Sequence, residues 1–195
     1  MKRECISIGP LCTAAQTLKD LNFRKAAYPF DWMFSNLVMI QECVEDKFAT
    51  LLDRSLIVAT PPSGSTHLKY HSIDKPTFNH HNLAGSEETY QAFCRRALRF
   101  LEAWNDLNGI GLLYMTKLEP WLEHENKGDR EYLQQFCEFV AKSSPKSVVI
   151  VMILCRSGQN THELHQLTPN CYIANIHYGE TDNLIAVQEI LNSIL

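Results

Sequence analysis

The stretch from Ser147 to Cys155, SVVIVMILC, is apolar at every position after its first. It shows none of the alternation that a strand with one wet face carries. Such a run fits a strand buried on both faces, as in parallel sheets covered by helices on either side. Whatever this chain folds into has to supply two layers of cover for that strand.

The rest of the sequence offers them. Cys5 to Ile8 reads as a strand that breaks at Gly9-Pro10, and Leu11 to Leu21 follows with apolar residues at helical spacing. Asn22 to Trp32 mixes a proline, aromatics and charges and is too irregular for one element, with Tyr28 held extended by the proline after it. Ser35 or Asn36 is placed to cap a helix over Leu37–Leu52, and Leu56–Ala59 reads as a short strand. Pro61 to Ser65 is a loop, and Thr66 to Gly85 reads as strand fragments and loop. Ser86 opens a helix to about Leu107, with Tyr90, Phe93, Cys94, Ala97, Leu98, Leu101 and Trp104 inward. Arg95, Arg96 and Arg99 are then left on a solvated face.

Gly109 to Met115 is a second buried-strand pattern, Glu119 to Gly128 a polar loop, and Asp129 to Lys142 a helix. After the central run comes a polar stretch holding Asn160, His162 and His165. Cys171 to Ile176 is a last strand, and Thr181 or Asp182 caps a final helix. Strands alternating with helices imply an α/β fold: an open, mostly parallel, three-layer Rossmann-like sheet with helices on both faces. We expect one domain over residues 1–195, with a loop-rich insertion at about 60–85.

Charge and cysteine usage narrow the function classes. A net charge of −4 argues against general nucleic-acid or membrane-surface binding. No apolar run approaches the roughly 20 residues that a bilayer-spanning helix needs. Seven cysteines, without CxxC pairs, suit a reducing cytoplasmic setting better than a disulfide framework. The eight histidines lack the spacing of a metal site, so no metal is expected.

The chemistry is expected around Cys12, in the first turn of a helix that directly follows a strand. The unpaired N–H groups there favour a thiolate and offer an oxyanion hole. The carboxyl end of a strand is also where open sheets gather ligands. A thiol nucleophile needs a base and a group to orient it. His80 and His81 are candidates, and His177, with Asp182 in reach, is the competitor. Asp31 is the carboxylate of interest: burial between Phe30 and Trp32 would raise its pKa and a nearby Arg24 would lower it. Gly9, Arg24, Trp32 and Lys117 are the candidate substrate-binding residues.

These residues also resemble a family. Ser7-Ile8-Gly9-x-x-Cys12, Ala15, Leu18-Lys19, Arg24 and the block Tyr28-Pro29-Phe30-Asp31-Trp32 look like the opening signature of a family of papain-like cysteine peptidases. Phe78-x-His80-His81-Asn82, Tyr90 and Arg95-Arg96…Arg99-Phe100 resemble its second block, with Asn82 where an aspartate often follows the histidine. The resemblance covers roughly residues 4–117. It implies a cysteine nucleophile at Cys12 and a histidine at His80 or His81. A papain fold sets its cysteine on a long helix against an antiparallel barrel, whereas strand–helix alternation predicts a plan closer to the SGNH-type esterases, without their Gly-Asp-Ser motif.

The leading expectation is a thiol-dependent hydrolase or acyl transferase acting on a peptide or small molecule without a cofactor. Cys12 attacks, His80 or His81 serves as base, and Asp31 supports the site. The alternatives are a phosphate- or nucleotide-sugar-binding transferase, with Arg24 and Lys117 neutralising phosphate, and a non-enzymatic α/β interaction module.

Overall fold

The computed structural model describes residues 3–62, 64–70, 76–122, 127–155, 164–177 and 182–195. Its centre is a five-stranded sheet of β1 (Glu4–Pro10), β4 (Ile110–Lys117), β5 (Val148–Cys155), β7 (Cys171–His177) and β6 (Leu164–Thr168), in that spatial order. The first four run parallel, and β6 pairs antiparallel at the edge. The predicted central run is β5. Every one of its residues is buried.

Alternation along the strands sorts the core into two layers. On one face Leu113, Met115, Ile150 and Met152 meet Ala14 and Leu18 of α1 (Cys12–Asp20) and Val187, Ile190 and Leu191 of α6 (Asp182–Ile194). On the other, Leu112, Tyr114, Val149 and Val151 meet α2 (Leu37–Glu45), α3 (Glu87–Trp104) and α5 (Lys127–Ser143). The expected open α/β sheet with helices on both faces is therefore observed. A two-stranded antiparallel ribbon, β2 (Ile57–Thr60) with β3 (Gly64–His67), lies apart from the main sheet. A short helix α4 (Leu118–Leu122) stands where the polar composition predicts a loop.

Several boundaries differ from expectation, each for a local reason. β1 continues through Gly9 and Pro10, with a cis Gly9–Pro10 bond. α2 ends at Glu45, because Lys47 and Phe48 take positive φ (55° and 64°) and swing Phe48 into the core, where it meets Phe30 and Phe100. Its cap is Asn36, accepting from the Met39 amide; Ser35 is used elsewhere. The polar stretch after β5 contains the edge strand β6, while Asn160 and His162 lie outside the described residues.

The inward face of α3 is rotated from the predicted one. Phe93, Ala97, Phe100 and Trp104 are buried, whereas Leu98 is 61% exposed. That rotation brings Arg96 and Arg99 to half-buried positions and corrects the reading of them as a solvated face; Arg95 alone is exposed.

Candidate functional site around Cys12

Cys12 is the first residue of α1, immediately after β1 ends at Pro10. The N-cap is Leu11, an unfavoured residue there, and no side chain caps the helix. The first amides of α1 are thus left without a side-chain acceptor, as an oxyanion hole requires. β1 forms an edge of the sheet and β4 is its neighbour, with Pro10 opposite Met115. The exposed Lys117 therefore closes the adjacent strand at the same end of the sheet.

Gly9 explains how the strand reaches that point. Its φ is +95°, and a Cβ built on it would fall 1.9 Å from Ser35 Oγ. The Ser35 hydroxyl donates to the Ile8 carbonyl (3.0 Å) through the space a side chain would take. Absence of a side chain at Gly9 is used for this close approach.

The Tyr28–Trp32 block forms a 3₁₀ turn over Pro29–Trp32, with Tyr28 extended as the following proline demands. Phe30, fully buried, packs edge-on against Phe100 and tilted against Phe48. The turn lies against β1, α1 and α3. Arg24 is delivered by the end of α1, its amide donating to the Leu18 carbonyl (3.0 Å). Its Nε and Nη2 both reach Asp31 Oδ2 (3.1 and 2.7 Å), which also accepts from the Tyr28 amide (2.8 Å). Asp31 is 1% exposed. Burial raises its carboxyl above the ordinary range, outweighing the Tyr28 amide and the Arg24 and Arg96 guanidiniums, which pull it down. Asp31 bonds to neither histidine. It is the counter-ion of Arg24, and its bonds hold the turn rather than a histidine ring.

The histidine pair follows Phe78, which is buried against Phe93 (5.3 Å between centroids). The Phe34 amide donates to the Thr77 carbonyl (3.0 Å), tying this loop to the tail of the Tyr28–Trp32 block. The exposed His80 meets the half-buried Trp32 edge to face, with centroids 6.5 Å apart and planes at 85°. His81 turns the other way, its Nε2 accepting from Arg96 Nη1 at 3.4 Å while its ring packs on Phe93. Burial, then the charges of Arg96 and His80, push His81 down to about 4. A cavity of about 550 Å³ opens between the two histidines and α3. A second, of about 600 Å³ between α2 and α5, is lined by none of the candidate residues.

Cys12 itself is half-buried, and burial raises its thiol above the ordinary range, opposed by its own amide. This corrects the expectation of a thiolate favoured by the helix start: partial desolvation outweighs the amide. His177 and Asp182 belong to β7 and α6, and their side chains lie outside the described residues. β7 is three strands from β1, about 14 Å at the usual strand spacing.

His67 is the satisfied core histidine of the set. It is fully buried, its Nε2 on the Thr50 carbonyl (3.0 Å) and its Nδ1 accepting from the Lys69 and Tyr70 amides. Burial lowers its pKa. Both His67 and His81 are thus neutral in the fold, whereas the unfolded chain protonates them from about pH 6.5 downward. Stability conferred by the neutral rings is complete above that value and declines below it, the His81 share being lost as the pH falls toward 4. Urea midpoints measured from pH 7 to 4.5 should decline, and His81→Gln should flatten the curve. A midpoint that stays level in the parent chain contradicts the assignment.

Arg96, Arg99 and Ser35 are the residues that sequence reading missed. The signal for the arginines was Phe100: with Phe93 and Ala97 it defines a face that Arg96 and Arg99 flank. Among the described residues no helix is long and apolar enough to cross a membrane. No curated protein and no solved structure matches the chain. The profile of a family described as "Putative papain-like cysteine peptidase (DUF1796)" matches residues 3–158. The chain belongs to that family.

Proposed function

We propose that the protein is a thiol-dependent hydrolase or acyl transferase with Cys12 as nucleophile and His80 as base. The observation that carries the reading is the position of Cys12: half-buried at the uncapped start of α1, beside a turn whose last residue, Trp32, meets His80. A cavity of about 550 Å³ that His80 lines gives a substrate room beside the base. The family description supports cysteine-dependent hydrolysis at a coarse level.

The electrostatics favour His80 over His81. The acceptor nitrogen of His81 is engaged by Arg96, and a ring that protonates only near 4 is a poor proton acceptor for a thiol. The raised thiol of Cys12 fits base-assisted attack rather than a standing thiolate–imidazolium pair. In the reaction His80 takes the Sγ proton as sulfur attacks a carbonyl carbon. The α1 amides hold the oxyanion, and the proton passes to the leaving group. Water or a second nucleophile then releases the thioester. Arg24 and Asp31 act one step back, by fixing the turn that carries Trp32.

Acetyl transfer from p-nitrophenyl acetate, followed at pH 7.5 by nitrophenolate release, tests the assignment. His80→Ala should slow the burst by about 10²-fold, within the usual range for loss of a general base. His81→Ala should leave it within a few-fold of the parent. The reverse ranking would transfer the role of base to His81.

A further inference from the structure

The cavity lined by His80 and His81 holds a cation whose bonding capacity is largely unused. Arg24 is committed to Asp31, and Arg99 Nη1 to the Ala27 carbonyl at 2.6 Å. Arg96, half-buried, makes one long hydrogen bond, to the neutral His81, and no ion pair among the described residues. A guanidinium carries five N–H donors; Asp31 acts on this one through charge alone, with no hydrogen bond between them, so most of its half-buried donors lack a protein acceptor among the described residues. The surrounding groups add donors in turn. With its Nε2 accepting from Arg96, neutral His81 carries its proton on Nδ1. Asn82 Oδ1 accepts from the Gly85 amide, leaving its NH₂ group to donate. Arg96, His81 and Asn82 all line the same cavity of about 550 Å³, as does His80.

We propose that this cavity is a subsite for a carboxylate of the substrate, an acidic side chain of a peptide whose acyl group is presented to Cys12. The surplus of donors calls for an acceptor. A planar carboxylate matches the guanidinium edge through two parallel bonds. Glu88, exposed on the same rim, opposes any anion and opposes a phosphate dianion about twice as strongly as a carboxylate. The assignment rests on the thiol-hydrolase reading for the position of the acyl group, but the carboxylate contact itself is independent of Cys12.

Calorimetric titration with N-acetyl-L-glutamate and its neutral isostere N-acetyl-L-glutamine separates the two. The glutamate should bind at least about tenfold more tightly, the ordinary gain from a charged hydrogen-bonded pair. Arg96→Gln should abolish the difference, and Arg96→Lys, which keeps the charge without the fork, should retain part of it. Cys12→Ser should leave the preference intact, so the subsite and the nucleophile stand or fall separately. Circular dichroism of each variant guards against loss of folding, and the comparison in the parent chain needs no variant. Equal affinity for the two compounds, binding of neither, a preference that survives Arg96→Gln, or tighter binding of inorganic phosphate would each overturn the proposal.

Discussion

Replacing Asp31 by alanine is expected to destabilise the chain by about 3 kcal/mol, the lower end of the cost of stripping one partner from a buried ion pair. The carboxylate is 1% exposed and its Oδ2 receives three hydrogen bonds, two from Arg24 and one from the Tyr28 amide. Without it, the Tyr28 amide is buried and unpaired, and Arg24 and Arg96 face each other with no charge between them. The estimate sits at the lower end because the Arg24 side chain keeps 22% of its exposure and can turn to water. For a chain of this length the melting temperature should fall by about 6–12 °C. Asp31→Asn retains an acceptor for the amide and should cost less. The double variant Asp31→Asn/Arg24→Gln, which removes both charges, should cost less than the sum of its parts. Additive losses, or an Asp31→Ala chain as stable as the parent, would show that the pair does not hold the turn.

Gly9→Ala should be nearly as damaging, at about 2–4 kcal/mol. Two costs combine: a side chain at φ +95°, and a methyl placed 1.9 Å from Ser35 Oγ. Rotating Ser35 away forfeits its bond to the Ile8 carbonyl, so the strand itself has to move. Cys12 lies three residues further on, and its helix start shifts with the strand. Ser35→Gly removes both close atoms, and introduced beside Gly9→Ala it should restore the part of the loss that is steric. The backbone strain remains. Equal stability of Gly9→Ala and the parent, judged by urea midpoints, would contradict this packing.

The architecture was legible where one pattern left a single solution. An apolar run such as β5 has no stable place except between two layers, so the parallel sheet and its cover followed from it. The pre-proline position of Tyr28 is likewise a local property and appears as read, and of the two capping residues offered, Ser35 and Asn36, the structure uses Asn36. What failed depends on partners distant in sequence. The inward face of α3 turns on whether Leu98 or Phe100 meets Phe30 and Phe48, which no window along the helix contains. The edge strand β6 is polar because it is exposed, and so resembles a loop.

The site divides in the same way. Cys12 at a helix start, and Arg24 with Asp31, follow from spacing and charge. The separate environments of two adjacent histidines do not: one meets Trp32, the other Arg96, and only the tertiary fold tells them apart. The name of papain in the family description does not extend to this architecture, since Cys12 opens a helix that follows the edge strand of an open, mostly parallel sheet.

The central claim is that Cys12 is the nucleophile, and site-resolved acylation tests it most directly. The chain would be treated with p-nitrophenyl acetate at pH 7.5, quenched in acid, digested and read by mass spectrometry at each of its seven cysteines. Cys94, the other half-buried thiol, is the internal control. The account predicts acetylation of Cys12 well ahead of Cys94, loss of that preference in urea, and a sharp drop in His80→Ala. Acetylation of Cys94 at the same rate, or a Cys12 that stays unmodified while nitrophenolate is released, would contradict it.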